Sequence, residues 1–276
     1  MIDTSTFHEV PYAGGDARPD GGRGNRMNSH PPSHATAPSA VETLFIFPHA
    51  GGSAVGYKPF ARAFSMDAKR IAVQYPGRVG GHDVPDLASI TALADDVYPM
   101  LRPSIAGSRV AFFGHSMGGL LAFDIARRLE QDGNPIAALF VSASPAPGHG
   151  GYEHLHQGSD DELLEMVATM TGTDSRFVGG QFGATVLKTL RNYGAITSYS
   201  CPPGTTLSCP VYAYAAADDA AVGYDSVCAW SEFTTGDFAV RTVAGDHFYI
   251  TEHVDEVVAD IETRIAACGA HERRLT

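Results

Sequence analysis

Long apolar runs are missing from this chain of 276 residues. None reaches the roughly 20 residues a helix needs to cross a bilayer, so no membrane span is expected. Basic residues are also scarce. Lys and Arg number 19 against 31 Asp and Glu, a formal net charge of −12. That balance argues against a nucleic-acid partner, because binding a phosphate backbone needs clustered cations to displace its counterions. Cysteine is sparse too: Cys201, Cys209, Cys228 and Cys268 show no C-x-x-C spacing of a metal or redox site. A Cys201–Cys209 bridge would close a short loop, but no secretory apolar segment points to export. Reduced thiols and a cytoplasmic location are the expectation. No internal repeat appears.

Residues 1–40 are rich in Gly, Pro, Ser, His and Asn with almost no apolar periodicity, and read as a disordered tail. Its His8, His30 and His34 are scattered, as solvated histidines are. No later break in composition divides residues 41–276, which read as one domain. There, short apolar runs alternate with helical patterns. Strands are expected at Leu44–Phe47, Ile71–Tyr75, Val110–Phe113, Ala137–Ser142, Val211–Ala215 and Phe238–Val243. Helices are expected near Tyr57–Phe64, Ile90–Leu101, Leu120–Gln131, Tyr224–Phe233 and Val254–Ala267. This order predicts an α/β fold with a mostly parallel sheet and helices on both faces.

A longer excursion, about 149–207, separates the fourth and fifth of these strands. It holds Ser159-Asp160-Asp161-Glu162, a capping-box signature, followed by Leu163, Met166, Val167 and Met170 at helical spacing, and a second helical run near Thr185–Tyr199. Inserted helices at this point of an α/β sheet commonly cover the carboxyl ends of the strands, so a lid is expected. Most of its apolar residues, with Phe177 and Phe182, are expected to pack the insertion onto the core. A methionine or two would be left to face a ligand.

The segment Gly114-His115-Ser116-Met117-Gly118 falls where the apolar run Val110–Phe113 gives way to a helical pattern. A serine on such a tight strand-to-helix turn is held in strained backbone dihedrals with its hydroxyl pushed outward, as an acyl-transfer nucleophile must be. Gly114 and Gly118 remove the Cβ atoms that would collide as strand and helix converge. The N–H of Met117, at the start of the helix, then aims at the oxygen of an attacked carbonyl.

A serine hydroxyl needs a base within hydrogen-bond reach, and the base needs a carboxylate to orient it. His247, in Gly245-Asp246-His247-Phe248-Tyr249 after the last strand, is the best base. Gly245 permits the turn that swings the ring inward, and Phe248 and Tyr249 are placed to wall out water. His154 and His156 lie in the insertion, His253 begins a helix, and His115 should point away from its neighbour Ser116. For the acid, Asp219 is preferred over Asp218, both following the strand Val211–Ala215. Asp246 is weaker because it would diverge from His247. The loop Phe47-Pro48-His49-Ala50-Gly51-Gly52 follows the first core strand, and Ala50 is the choice for a second oxyanion donor, with His49 bracing the loop.

Phe47–Gly52, Tyr75-Pro76-Gly77-Arg78, Gly114–Gly119, the Asp219-x-x-Val222 step and Gly245–Phe248 together resemble type II thioesterases of modular polyketide and nonribosomal peptide synthesis. The likeness spans about Leu44–Ile265. Arg70–Gly77, Ala111–Gly119, Cys201-Pro202-Pro203 and Cys209-Pro210 look most similar to a mycobacterial and actinobacterial TesA-like branch. The resemblance implies an α/β-hydrolase fold and, as substrate, an acyl thioester on a carrier protein's phosphopantetheine arm. It places the triad on Ser116, Asp219 and His247 and the oxyanion donors on Ala50 and Met117, with no cofactor or metal. Ala216 departs from the glycine many relatives have before the acid, and the tail is unlike the family core. A small-molecule esterase or lipase, or an acyltransferase, would use the same triad. A non-catalytic binding module fits least, since all three residues stand in the expected order. Carrier proteins are generally acidic, so docking on a chain of this charge needs a local basic patch, for which Lys58, Arg62 and Arg78 are candidates.

Overall fold

The computed structural model describes residues 7–9, 41–76, 87–150, 158–171 and 180–272. Seven strands form one sheet in the order β1-β3-β2-β4-β5-β6-β7. They are β1 (Phe7–Glu9), β2 (Thr43–Phe47), β3 (Lys69–Val73), β4 (Val110–His115), β5 (Leu139–Ser142), β6 (Val211–Ala216) and β7 (Phe238–Val243). The pairs from β3 through β7 are parallel, and β1 runs antiparallel to β3 with Phe7 opposite Val73. The expected disordered tail therefore fails at Phe7–Glu9. A short β-prone stretch is invisible in a composition averaged over 40 residues, and the outer side of β3 would otherwise leave its backbone N–H and C=O groups unpaired.

Parallel strands are covered on both faces, so their side chains alternate between two cores. Phe45, Phe47, Phe112, Leu139, Val141, Val211 and Ala213 face α2 (Ile90–Ile105) and α3 (Met117–Gln131). Leu44, Ile46, Ala111, Phe113, Phe140, Tyr212 and Tyr214 face α1 (Lys58–Arg62) and α8 (Val254–Glu272). The chain leaves β2 for β3 on one side and returns to β4 on the other. That reversal opens a crevice beyond the carboxyl ends of β2 and β4, the position where ligands bind in open α/β sheets.

Three departures from the expected helices have physical causes. α3 starts at Met117 rather than Leu120, because Gly118 and Gly119 are packed in its first turn instead of loosening it. A Cβ on Gly118 would run into the backbone carbonyls of Phe47 and Pro48, and one on Gly119 would come within 2.6 Å of Ser144 Oγ. α2 continues past Leu101 to Ile105 despite Pro99 and Pro103. Both prolines are exposed, while Leu101 and Ile105 are buried, so packing outweighs two lost backbone bonds. The run Tyr224–Phe233 divides into α7 (Tyr224–Cys228) and a 3-10 turn (Ala229–Phe233). Trp230 is fully buried there and donates its indole N–H to the Ser144 carbonyl at 2.9 Å.

The insertion forms α4 (Asp160–Thr171), α5 (Gly180–Arg191) and α6 (Tyr193–Thr197). Its capping box is built as expected. Ser159 donates its N–H to Glu162 Oε2 at 2.7 Å, and Ser159 Oγ accepts from the Glu162 N–H at 3.4 Å. Leu163, with Met166 and Val167, packs on the α2–α3 core; Phe177 lies outside the described residues.

The tight seat of α3 yields a measurable outcome. Gly118→Ala is expected to lower stability by about 3 kcal/mol, because the intruding methyl group meets backbone rather than a movable side chain. Urea melts of the two proteins would check it; a loss under about 0.5 kcal/mol would contradict the packing argument.

Candidate active site

The β4–α3 turn holds Ser116 at φ 55° and ψ −124°, in the left-handed region that a side chain rarely adopts. The surroundings impose this. Ser116 N–H donates to the Ser142 carbonyl on β5 at 2.7 Å, and Gly119 N–H donates back to the Ser116 carbonyl at 2.9 Å. A Cβ at Gly114 would sit 2.6 Å from Gly119 Cα, so both flanking glycines are needed for the turn to close.

His247 comes from the loop after β7, 131 residues on in sequence, with Nε2 3.0 Å from Ser116 Oγ. Gly245 at φ 101° makes the bend that brings it there. Its Nδ1 lies 2.8 Å from Asp219 Oδ2, and both side chains are nearly fully buried. Asp219 is anchored by its other oxygen, which accepts the N–H groups of Ala221 at 2.8 Å and Val222 at 3.0 Å. The Asp219 and His247 loops are tied by Asp218 N–H donating to the Gly245 carbonyl at 3.0 Å. A carboxylate, an imidazole and a hydroxyl thus stand in one line in a dry setting, where Asp219 can fix the imidazole tautomer and favour its protonated form.

The competing residues separate cleanly. Asp218 is exposed, and Asp246 turns away to accept the Phe248 N–H at 2.8 Å. His253 stands 3.9 Å from Glu256; His154 and His156 lie outside the described residues. His49 braces its loop as expected, with Nδ1 2.8 Å from Tyr57 Oη.

The loop carrying Ala50 is pressed against the serine turn by the Gly118 contact, and Tyr75 donates its phenol to the Pro48 carbonyl at 2.6 Å. Tyr75 belongs to a motif visible in the sequence, yet its task as a strut shows only in three dimensions. Burial pushes the phenols of Tyr57 and Tyr75 far up, so both remain proton donors. Met117 opens α3, and a first-turn N–H has no carbonyl within its helix to bond. Phe248 stacks edge-on against His247 and His49, each at 5.1 Å between ring centres, forming the expected wall. Tyr249 does not line the site. Its phenol lies 2.6 Å from Ser142 Oγ, which in turn lies 2.9 Å from His115 Nδ1. Beyond His49 and Phe248 opens a cavity of about 490 Å³, lined mainly by apolar groups including Tyr57, Phe60, Ile250 and Val254. Among the described residues, no group of three His, Cys, Asp or Glu side chains could hold a metal ion, and no helix is long and apolar enough to cross a membrane.

His115 is fully buried, and desolvation first, then the like-charged neighbours His247 and His49, hold its imidazole well below the ordinary range. The unfolded chain takes up a proton there below about pH 6.5 while the folded protein does not. Its contribution to stability is therefore complete above that pH and is lost as pH falls, with a slope of up to about 1.4 kcal/mol per pH unit. Urea melts from about pH 7 to pH 5 should show a shallower decline in His115→Gln than in the parent. Equal slopes would exclude this residue as the cause.

Comparison with known proteins follows the same lines. A family model described as thioesterase domain matches residues 42–265. The chain is 47% identical to thioesterase TesA of Mycobacterium marinum over 241 residues, covering 87% of this chain and 95% of that one. The structure of the type II thioesterase BorB from the borrelidin biosynthetic cluster superposes with a TM-score of 0.71 at 38% identity, covering 86% of this chain and all of that one. RedJ, the thioesterase of the prodiginine pathway in Streptomyces coelicolor, gives a TM-score of 0.73 at 31% identity, covering 85% and 96%. An α/β-hydrolase sheet, a serine turned out at the end of β4 and likeness over most of both chains agree: this chain belongs to the thioesterase family, among its type II members.

Proposed function

We propose that the protein hydrolyses acyl thioesters carried on the phosphopantetheine arm of a carrier protein, in the editing or release of intermediates on a modular synthase. The observation that carries the reading is the line from Asp219 through His247 to Ser116, at 2.8 and 3.0 Å. Ser116 Oγ attacks the thioester carbonyl as His247 Nε2 takes its proton, with Asp219 stabilising the imidazolium. The N–H groups of Ala50 and Met117 receive the oxyanion, each donor being worth roughly 3 kcal/mol. Collapse breaks the C–S bond, and His247 returns the proton to the departing thiol. Water, activated by the same imidazole, then attacks the acyl-enzyme, releasing the acid and restoring Ser116.

The insertion serves as a lid for the acyl chain in this reading. In its support, Leu163 and Ile196 share one apolar cluster with Ala50 and Met117. Lys58 and Arg62 lie on α1, just after the Ala50 loop and beside the cavity, and form the local basic patch for an acidic carrier. Arg78 lies outside the described residues. None of the four cysteines is in a disulfide, which fits a reducing compartment, so the cytoplasm is the proposed site of action.

Mass spectrometry of an acyl-loaded carrier protein would test the reaction directly, with loss of the acyl mass and appearance of free acid expected. Ser116→Ala should reduce turnover by at least about 10⁴-fold and abolish fluorophosphonate labelling, and Asp219→Asn should cost about 10⁴-fold in kcat. Faster cleavage of an oxyester than of a thioester of equal chain length would instead favour an esterase.

The docking surface has its own test. Joint reversal to Glu at Lys58 and Arg62 should raise KM for carrier-bound substrate about 10-fold and leave a small soluble thioester unaffected. An equal response from both substrates defeats the docking assignment.

A further inference from the structure

One buried cluster beside the triad has no part in the reaction just described. His115 ends β4, next to Ser116, and its ring centre lies 5.4 Å from that of His247. Its Nδ1 meets Ser142 Oγ at 2.9 Å, and Ser142 Oγ meets the Tyr249 phenol at 2.6 Å. Its Nε2 is buried with no hydrogen-bond partner among the described residues.

Burial keeps the Tyr249 phenol protonated and the His115 imidazole uncharged, so the Ser142 hydroxyl joins two neutral partners, and which atoms donate along this chain is set by the His115 tautomer.

We propose that His115, Ser142 and Tyr249 form a positioning clamp that fixes the His247 loop against the Ser116 turn along a route independent of the Ser116–His247 hydrogen bond. It runs from the Ser116 N–H to the Ser142 carbonyl, at 2.7 Å, and through the Ser142 hydroxyl to Tyr249, two residues beyond the base. His115, covalently next to the nucleophile, holds the Ser142 hydroxyl at 2.9 Å. None of the three touches the reacting atoms. Their task is to hold the base in place as its bond to Ser116 changes during proton transfer. The uncharged imidazole of His115 also spares the imidazolium of His247 a cationic neighbour. Asp219 and Ser116 are bonded to the His247 ring, and His49 lies behind Phe248.

The clamp rests on the triad assigned under the proposed function, but its test needs only an activated serine. The rate of fluorophosphonate labelling is measured against pH for Tyr249→Phe, Ser142→Ala, His115→Gln and His115→Leu, with folded fractions from melts at each pH. Tyr249→Phe and Ser142→Ala should label about 10-fold more slowly at full folding, as expected for small displacement of a base. His115→Gln, whose amide can still meet the Ser142 hydroxyl, should label faster than His115→Leu. The clamp is overturned if all four label within about twofold of the parent, or if rates fall only in step with folded fraction. A parent that labels rapidly but cleaves no thioester would overturn the thioesterase reading alone.

Discussion

The geometry of this protein turns on a backbone crossing that leaves no room for a side chain. The first turn of α3 passes so close to the end of β2 that a methyl group on Gly118 would meet the carbonyls of Phe47 and Pro48, while Gly114 is shut in by Gly118 and Gly119. Two consequences follow from one contact. Ser116 is driven to a positive φ with its hydroxyl at the tip of the turn, and the Ala50 loop is fixed beside it. Ser116 and the Ala50 loop are thus set by packing rather than by any attraction between them. Helix propensity works against this arrangement, since glycine costs roughly 1 kcal/mol relative to alanine in a helix. The three-residue extension of α3 through Gly118 and Gly119 shows that close approach outweighs it here.

Around that crossing, hydroxyls and buried charges hold the loops that a parallel sheet leaves free at its carboxyl edge. Tyr75 fastens the Ala50 loop at Pro48, Tyr57 fastens it at His49, and Tyr249 ties the His247 loop to β5. The return from the insertion is fastened likewise. Asp124, buried on α3, accepts from Tyr199 at 2.9 Å and from Arg128 Nε at 2.6 Å, so the end of the insertion is bonded to the helix that begins just after Ser116. Breaking such a pair from one side leaves a charge buried and unmatched, which makes the anchor costly to release.

Much of this was legible in the residues, for reasons that can be named. Strands β2 and β4 to β7 announce themselves as short apolar runs, and the Ser159–Glu162 box marks the start of α4 through its own hydrogen bonds. Ser116, Asp219 and His247 could be picked out because each follows a strand and sits beside glycine or a turn, where the chain is free to present a side chain. What the sequence concealed were partnerships across the fold. Nothing along the chain says that Ser142 should lie between His115 and Tyr249, and Tyr249 reads equally well as a wall of the site. The strand at Phe7–Glu9 was hidden for a different reason: its pairing depends on the open side of β3 more than on its own composition. The prolines of α2 misled because their cost is local while Leu101 and Ile105 gain from a distant core.

Burial explains why the three tyrosines and His115 can be trusted as fixed partners rather than titrating ones. Desolvation raises each phenol and lowers the imidazole, which keeps all four uncharged in a region that already holds Asp219. Among the described groups that brace the Ser116 turn, a neutral scaffold adds no charge to those the proposed reaction would use: a carboxylate at rest, an imidazolium and an oxyanion in passing. In a dry site each of those feels the others strongly, because little solvent stands between them. Placing an additional charged residue among them would disturb every step at once. Serine, tyrosine and a buried histidine brace this region without adding a charge that would compete with those of the proposed triad.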